Sequence, residues 1–317
     1  TAFDERPNLY AFLGDPTLEG LAALLGEPQT APAAAPEVAP QPLSQTQMWE
    51  LVELRAGQEK GPVLLTINQP FMYHALAQQM TSGCVDANIG VPNADALDKV
   101  REVGFDVAVA EAAEMVQQKY AGRPLLMCGL CVDGRIALGI AQALREKDVG
   151  IDVIGMIDTW APGAVKEFSS FARKRDKWRI RMRRLRYYLG LRASGEITWR
   201  DLLAQNSGAA KLLTMLGLRS GKSETAELVD ATVDCFVDQT RGYDFAPYSG
   251  EVVLVVTSSQ GIVPRDGVLG WSHKLARDVA GYPVNGWHGD ALTRSGFERV
   301  IGVLDDKIAR LLPPPQS

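Results

Sequence analysis

The stretch that decides the fold runs from Pro124 to Trp160 and reads PLLMCGLCVDGRIALGIAQALREKDVGIDVIGMIDTW. Pro124–Cys128 is a short apolar run of the kind found in strands buried on both faces. It passes through Gly129-Leu130-Cys131-Val132-Asp133-Gly134 straight into an amphipathic helix, from about Val132 to Glu146, and then into a second apolar run, Ile151–Ile157. A strand, a sharp turn and a helix with a nucleophilic side chain at the apex form a nucleophile elbow. Small residues flank such an apex because its backbone is strained and closely packed. The helix N-terminus behind it favours a thiolate and offers N–H groups to an oxyanion. Cys131 is therefore the candidate nucleophile, and the N–H of Val132 a candidate oxyanion donor.

Working outward, Pro62–Ile67 and Glu251–Thr257 are further strand-type runs, while Met72–Met80, Val107–Tyr120 and Phe297–Leu312 carry helical patterns. Strands alternating with helices predict a mostly parallel sheet with helices on both faces. About 160–240 lies a long, mainly helical insertion without strand signals, expected to form a lid. Upstream the composition changes abruptly. Residues 27–43, EPQTAPAAAPEVAPQPL, cannot bury enough apolar surface to fold, so 27–45 reads as a linker. Before it, Pro16 and Thr17 open a short helix with Leu18, Leu21, Leu24 and Leu25 on one face. Twenty-six residues are too few for a domain, so 1–26 reads as the end of a preceding one and 46–317 as the main domain.

Composition narrows the function. With 46% apolar and 22% charged residues the chain reads as globular, and its net charge of -5 disfavours nucleic acid as a partner. No run approaches the ~20 apolar residues of a membrane span, and residues 1–26 lack the pattern of a secretory signal. Four cysteines in this setting do not make a disulfide framework, so a reducing, cytoplasmic location is expected. Cys128 and Cys131 do form C-x-x-C between strand and helix, the placement of a redox pair, which is the rival reading from another class. No second ligand pair has zinc-site spacing, so no metal is expected. Gly217–Ser223 resembles a phosphate loop but has three residues between its glycines where four are needed. Residues 173–193 are densely basic, either a solvated lid face or a docking surface in which Arg179, Arg183 and Arg186 take part.

The elbow segment resembles the thioesterase domains that end non-ribosomal peptide and polyketide synthetases, which have an α/β-hydrolase fold. That family shows Gly-x-Ser-x-Gly-Gly, then a helix, a strand and a phrase like Asp-Thr-Tyr-x-Pro. Here Asp158-Thr159-Trp160-Ala161-Pro162 stands 27 positions after Cys131. Tyr73-His74-Ala75-Leu76-Ala77, Tyr248-Ser249-Gly250-Glu251-Val252, Gly270-Trp271 and Trp287-His288-Gly289-Asp290 also resemble family phrases. The resemblance covers roughly 60–312, and residues 1–26 resemble the last helices of a carrier protein. Polyhydroxyalkanoate synthases share a Cys elbow but place their aspartate much further along.

What the resemblance implies is a Cys131–His288–Asp158 triad acting on a peptidyl thioester. The substrate arrives on the phosphopantetheine arm of an upstream carrier domain, and the chain needs no cofactor of its own. The sequence departs from the family in its nucleophile, in Asp133 where the first glycine of the pair is usual, and in an oxyanion loop shortened to about Asn68-Gln69-Pro70. The second oxyanion donor is expected from Asn68 or Gln69. Cysteine in place of serine is most similar to the subclass that closes strained β-lactam or β-lactone rings. Macrocyclisation and simple hydrolysis by the same triad stay open.

Overall fold

Strand and helix alternate from residue 50 onward in the computed structural model. It describes residues 47–312 other than 82, 165–169, 200–223, 260–266, 273, 276–278, 285, 289–291 and 293–296. In chain order the elements are β1 (Glu50–Arg55), β2 (Val63–Ile67), α1 (Pro70–Gln79), β3 (Val85–Gly90), α2 (Ala94–Val103), α3 (Phe105–Tyr120) and β4 (Leu125–Leu130). There follow α4 (Asp133–Arg145), β5 (Val153–Ile157), α5 (Ser170–Ala193), α6 (Glu224–Thr240), β6 (Glu251–Thr257), β7 (Ala280–Val284) and α7 (Phe297–Ala309). The seven strands form one sheet in the order β1-β3-β2-β4-β5-β6-β7. Only β1 runs antiparallel to its neighbour.

The apolar runs sit centrally because helices cover both faces there. All residues of β2, β4 and β5 are buried. Alternate side chains feed two separate cores, as the two-residue period of a strand requires. Leu65, Ile67 and Met127 join α3 and α4 in one core, while Leu64, Leu126 and Cys128 join α1 and α7 in the other. Each fully buried aliphatic side chain stabilises the fold by roughly 1.5–3 kcal/mol. No helix among the described residues is long and apolar enough to cross a membrane.

Several boundaries differ from the sequence reading. The strand expected over Pro124–Cys128 continues through Gly129 and Leu130, so Cys131 is the first residue beyond it. The sequence reading found no strand at β1, β3 or β7. The preceding-domain remnant, the linker and the Gly217–Ser223 segment lie outside the described residues, as do parts of the insertion.

Candidate active site

The parallel strands end at one edge of the sheet, and each candidate residue is among the first beyond a strand end. Cys131 follows β4 and donates its N–H to Ile157 O at 2.8 Å, one rung past the ladder. Asp158 follows β5 and donates to Val255 O, while Asn68 follows β2 and donates to Ile89 O, both at 2.8 Å. Among the described residues six non-glycines have positive φ, and four belong to this edge: Asn68 (51°), Gln69 (43°), Cys131 (59°) and Asp158 (49°). The left-handed conformation costs roughly 1–2 kcal/mol at each such residue, so strain is concentrated where side chains must be aimed.

Close packing makes the elbow possible. A Cβ on Gly129 would lie 2.3 Å from the Asp133 carbonyl carbon, and one on Gly134 2.1 Å from Thr159 Oγ1. Only glycine fits either place. Leu130 donates its N–H to Tyr73 Oη at 2.9 Å, which ties the approach to the apex onto α1. Trp271 Nε1 donates to Thr159 O at 2.8 Å, and Arg135 Nε donates to Trp160 O at 2.8 Å. The loop carrying Asp158 is thereby held from two sides.

Asp158 is buried, and its carboxylate is fully engaged. Thr257 donates to it from N–H at 2.7 Å and from Oγ1 at 2.5 Å, and His288 Nδ1 lies 2.8 Å from Oδ2. His288 in turn donates its backbone N–H to Ser259 Oγ at 3.1 Å, and Ser259 Oγ is 2.5 Å from Thr257 Oγ1. Thr257 and Ser259 were absent from the sequence reading. Their signal was a polar residue closing the apolar run of β6, at the strand end where ligands gather in such sheets.

With Nδ1 directed at Asp158, Nε2 is left to face Cys131, whose side chain is close enough to act on the charge of the ring. Burial opposes charging of His288, but its hydrogen bond to the Asp158 carboxylate, together with the proximity of Cys131 and the charges of both, outweighs it and raises its pKa to about 10. The positions that follow His288, Gly289 and Asp290, and the third histidine, His273, lie outside the described residues. His74 is on α1, and its Nδ1 makes no hydrogen bond to the described residues.

The oxyanion candidates separate on geometry. The Val132 N–H, at the N-cap of α4, and the Gln69 N–H make no hydrogen bond with the described residues. Asn68 differs: its N–H is held by Ile89 O and its side-chain amide donates to Asp133 Oδ1 at 2.7 Å. Between this loop and α6 lies a pocket, with Phe71, Val91, Leu228 and Val233 on its apolar walls and Gln69 and Asp133 at its polar end.

The redox rival fares poorly. Cys128 is buried in β4, its thiol pushed up to about 12 by burial, and the cysteines are free. Among the described residues no group of three or more His, Cys, Asp or Glu could hold a metal ion. Arg179, Arg183 and Arg186 are exposed on α5, away from its buried residues Tyr188 and Leu191.

No family model matches the sequence, and no curated protein does. Solved structures do. The four-domain nonribosomal peptide synthetase holo-AB3403, bound to AMP and glycine, superposes with a TM-score of 0.56 at 21% identity over 84% of this chain, which spans 20% of that protein. YbtT, a type II thioesterase of the yersiniabactin pathway, gives 0.52 at 12% identity over 83% of this chain and 99% of its own. The NocB thioesterase domain, in covalent complex with a fluorophosphonate nocardicin G analogue, gives 0.50 at 17% identity over 80% and 95%. At these identities the likeness defines the fold, and the fold is that of an α/β-hydrolase.

Proposed function

We propose that this chain is a releasing thioesterase that takes a peptide from a carrier protein through an acyl-Cys131 intermediate. The observation that carries the reading is the line from Cys131 through His288 to Asp158, built beyond the ends of β4, β7 and β5 at one edge of the sheet. His288, oriented by Asp158, takes the proton of Cys131 at Nε2 and so generates the thiolate. The thiolate attacks the thioester carbonyl, and the oxyanion is held by the N–H groups of Val132 and Gln69. Collapse expels the phosphopantetheine thiol, which takes the Nε2 proton of His288. The neutral imidazole then removes a proton from the second nucleophile, and Cys131 leaves again as thiolate.

The second nucleophile decides the product. A thioester intermediate keeps the carbonyl activated, whereas serine would lower it to an oxoester. This suits a weak amide-type nitrogen closing a β-lactam ring. A hydroxyl would give a β-lactone, a remote nucleophile a macrocycle, and water the free acid. The substrate is delivered by a carrier domain upstream in the same synthetase, and residues 1–26 resemble the end of one.

Intact mass spectrometry after mixing with a peptidyl thioester tests this directly. Wild type gains the acyl mass, Cys131→Ala gains none, and Cys128→Ala keeps release activity. An adduct on Cys131→Ala removes the nucleophile assignment.

A further inference from the structure

We propose that Asp133 is a positioning residue for this reaction, its carboxylate clamping the side-chain amides of Asn68 and Gln69 so that the Gln69 N–H faces the oxyanion. The proposal rests on the thioesterase reading above. Asn68 and Gln69 are consecutive non-glycine residues in the left-handed region, a conformation that must be held by its surroundings. Asn68 Nδ2 donates to Asp133 Oδ1 at 2.7 Å and Gln69 Nε2 to Oδ2 at 3.1 Å, so each carboxylate oxygen fixes one residue of the turn. The Asn68 carbonyl accepts from Asn88 Nδ2 at 2.9 Å and its Oδ1 accepts from Val91 N–H at 3.1 Å. Those bonds fix Asn68 alone. Of the described side chains, only that of Asp133 holds the Gln69 side chain by a hydrogen bond. Asp133 itself is immobilised as the first residue of α4, with its backbone against Gly129. The glycine usual at this position in the resembling family has no carboxylate to offer.

The clamp is complete only when Asp133 is ionised, because a protonated oxygen would face an amide donor. Burial raises its pKa to about 7, against the two amide hydrogen bonds and the charge of His288. The ionisable groups around it are Tyr73 on α1, pushed well above its usual range by burial, His288 on its loop, and Cys131 just before it. The α6 residues lining the adjacent cavity, Thr225, Leu228, Val229, Thr232 and Val233, are uncharged.

The test compares wild type, Asp133→Asn and Gln69→Met on a dipeptidyl N-acetylcysteamine thioester from pH 5.5 to 9. Alkylation of Cys131 by iodoacetamide, which forms no oxyanion, is followed in parallel. Expected are a wild-type kcat that falls with acid below about pH 7 and, in Asp133→Asn, a kcat lower by on the order of 10²-fold, the loss of about one oxyanion donor. KM and alkylation stay unchanged, and the acid limb disappears. Gln69→Met keeps the backbone N–H and loses one arm of the clamp, so its kcat also falls, with the limb retained. Full kcat in either variant, an unmoved limb in Asp133→Asn, or alkylation falling together with turnover overturns the proposal. A wild type that alkylates at Cys131 but never turns over the thioester sinks the thioesterase reading itself, and the clamp with it.

Discussion

Cysteine and serine differ at the elbow apex by a single atom, yet they divide the reaction differently. Cys131→Ser keeps a nucleophile beside His288, so it is expected to acylate slowly. Its oxoester should then stall or go to linear acid, with cyclic product reduced to a small fraction of wild type by product mass analysis. Cyclic product at the wild-type rate would leave the choice of cysteine without a role in ring closure. Among the histidines the contrast should be steep. His288→Ala is expected to lose on the order of 10⁴ in turnover, whereas His74→Ala should be nearly silent; equal, mild losses would remove the triad. Cys131, Asp158 and His288 were legible in the sequence because each sits in a phrase with fixed spacing. Asp133 was visible only as a misfit, since its partners Asn68 and Gln69 are 65 and 64 positions away. Thr257 and Ser259 gain meaning only once β5, β6 and β7 lie side by side.

At the scale of elements, the central strands announced themselves and the outer ones did not. β3 (VDANIG) is fully buried yet carries Asp86 and Asn88, which no apolar pattern reveals. They are accommodated by partners on neighbouring strands: Arg55 Nε pairs with Asp86 at 2.7 Å, and Asn88 Nδ2 donates to Thr66 Oγ1 at 2.9 Å. β7 (AGYPV) contains Gly and Pro, which argue against a central strand and are tolerated here because it is an edge. The basic helix α5 has two faces with different jobs. Its inner face reaches the loop that carries His288: Tyr187 stacks on Trp287 at 6.5 Å between centroids, and Arg184 lies 5.7 Å over the same ring. Its outer face bears Arg179, Arg183 and Arg186 beside the exposed Trp178, Leu185 and Leu189. Changing the three arginines to Glu is expected to raise KM for carrier-bound substrate and leave a small thioester mimic unaffected. Loss with both substrates would assign these residues to lid packing, because arginine stems also cover apolar surface.

For the whole molecule, the shifted carboxylates and His288 bias stability in one direction. Burial raises Asp86 from 3.8 to about 6, against the charge of Arg55, and raises Asp133 from 3.8 to about 7. His288 is raised from 6.5 to about 10. In each case the folded state holds the proton more tightly than the unfolded chain. The stabilisation is therefore complete below the unfolded pKa and is lost as pH rises through the folded one. For the two carboxylates that window is 3.8 to about 6 or 7, and for the histidine 6.5 to about 10. Thermal or urea unfolding at constant ionic strength should thus show a midpoint that declines from pH 5.5 through 7.5 to 9.5. Asp133→Asn should flatten the lower part of that decline and His288→Ala the upper part. A midpoint that rises across the range, or slopes unchanged in both variants, would contradict the assignment. If the decline is found, activity and stability run oppositely across neutrality. Ionising Asp133 completes the clamp on the Asn68–Gln69 turn, and it also places an unfavourable charge in the core, so the protein works best where that residue destabilises it.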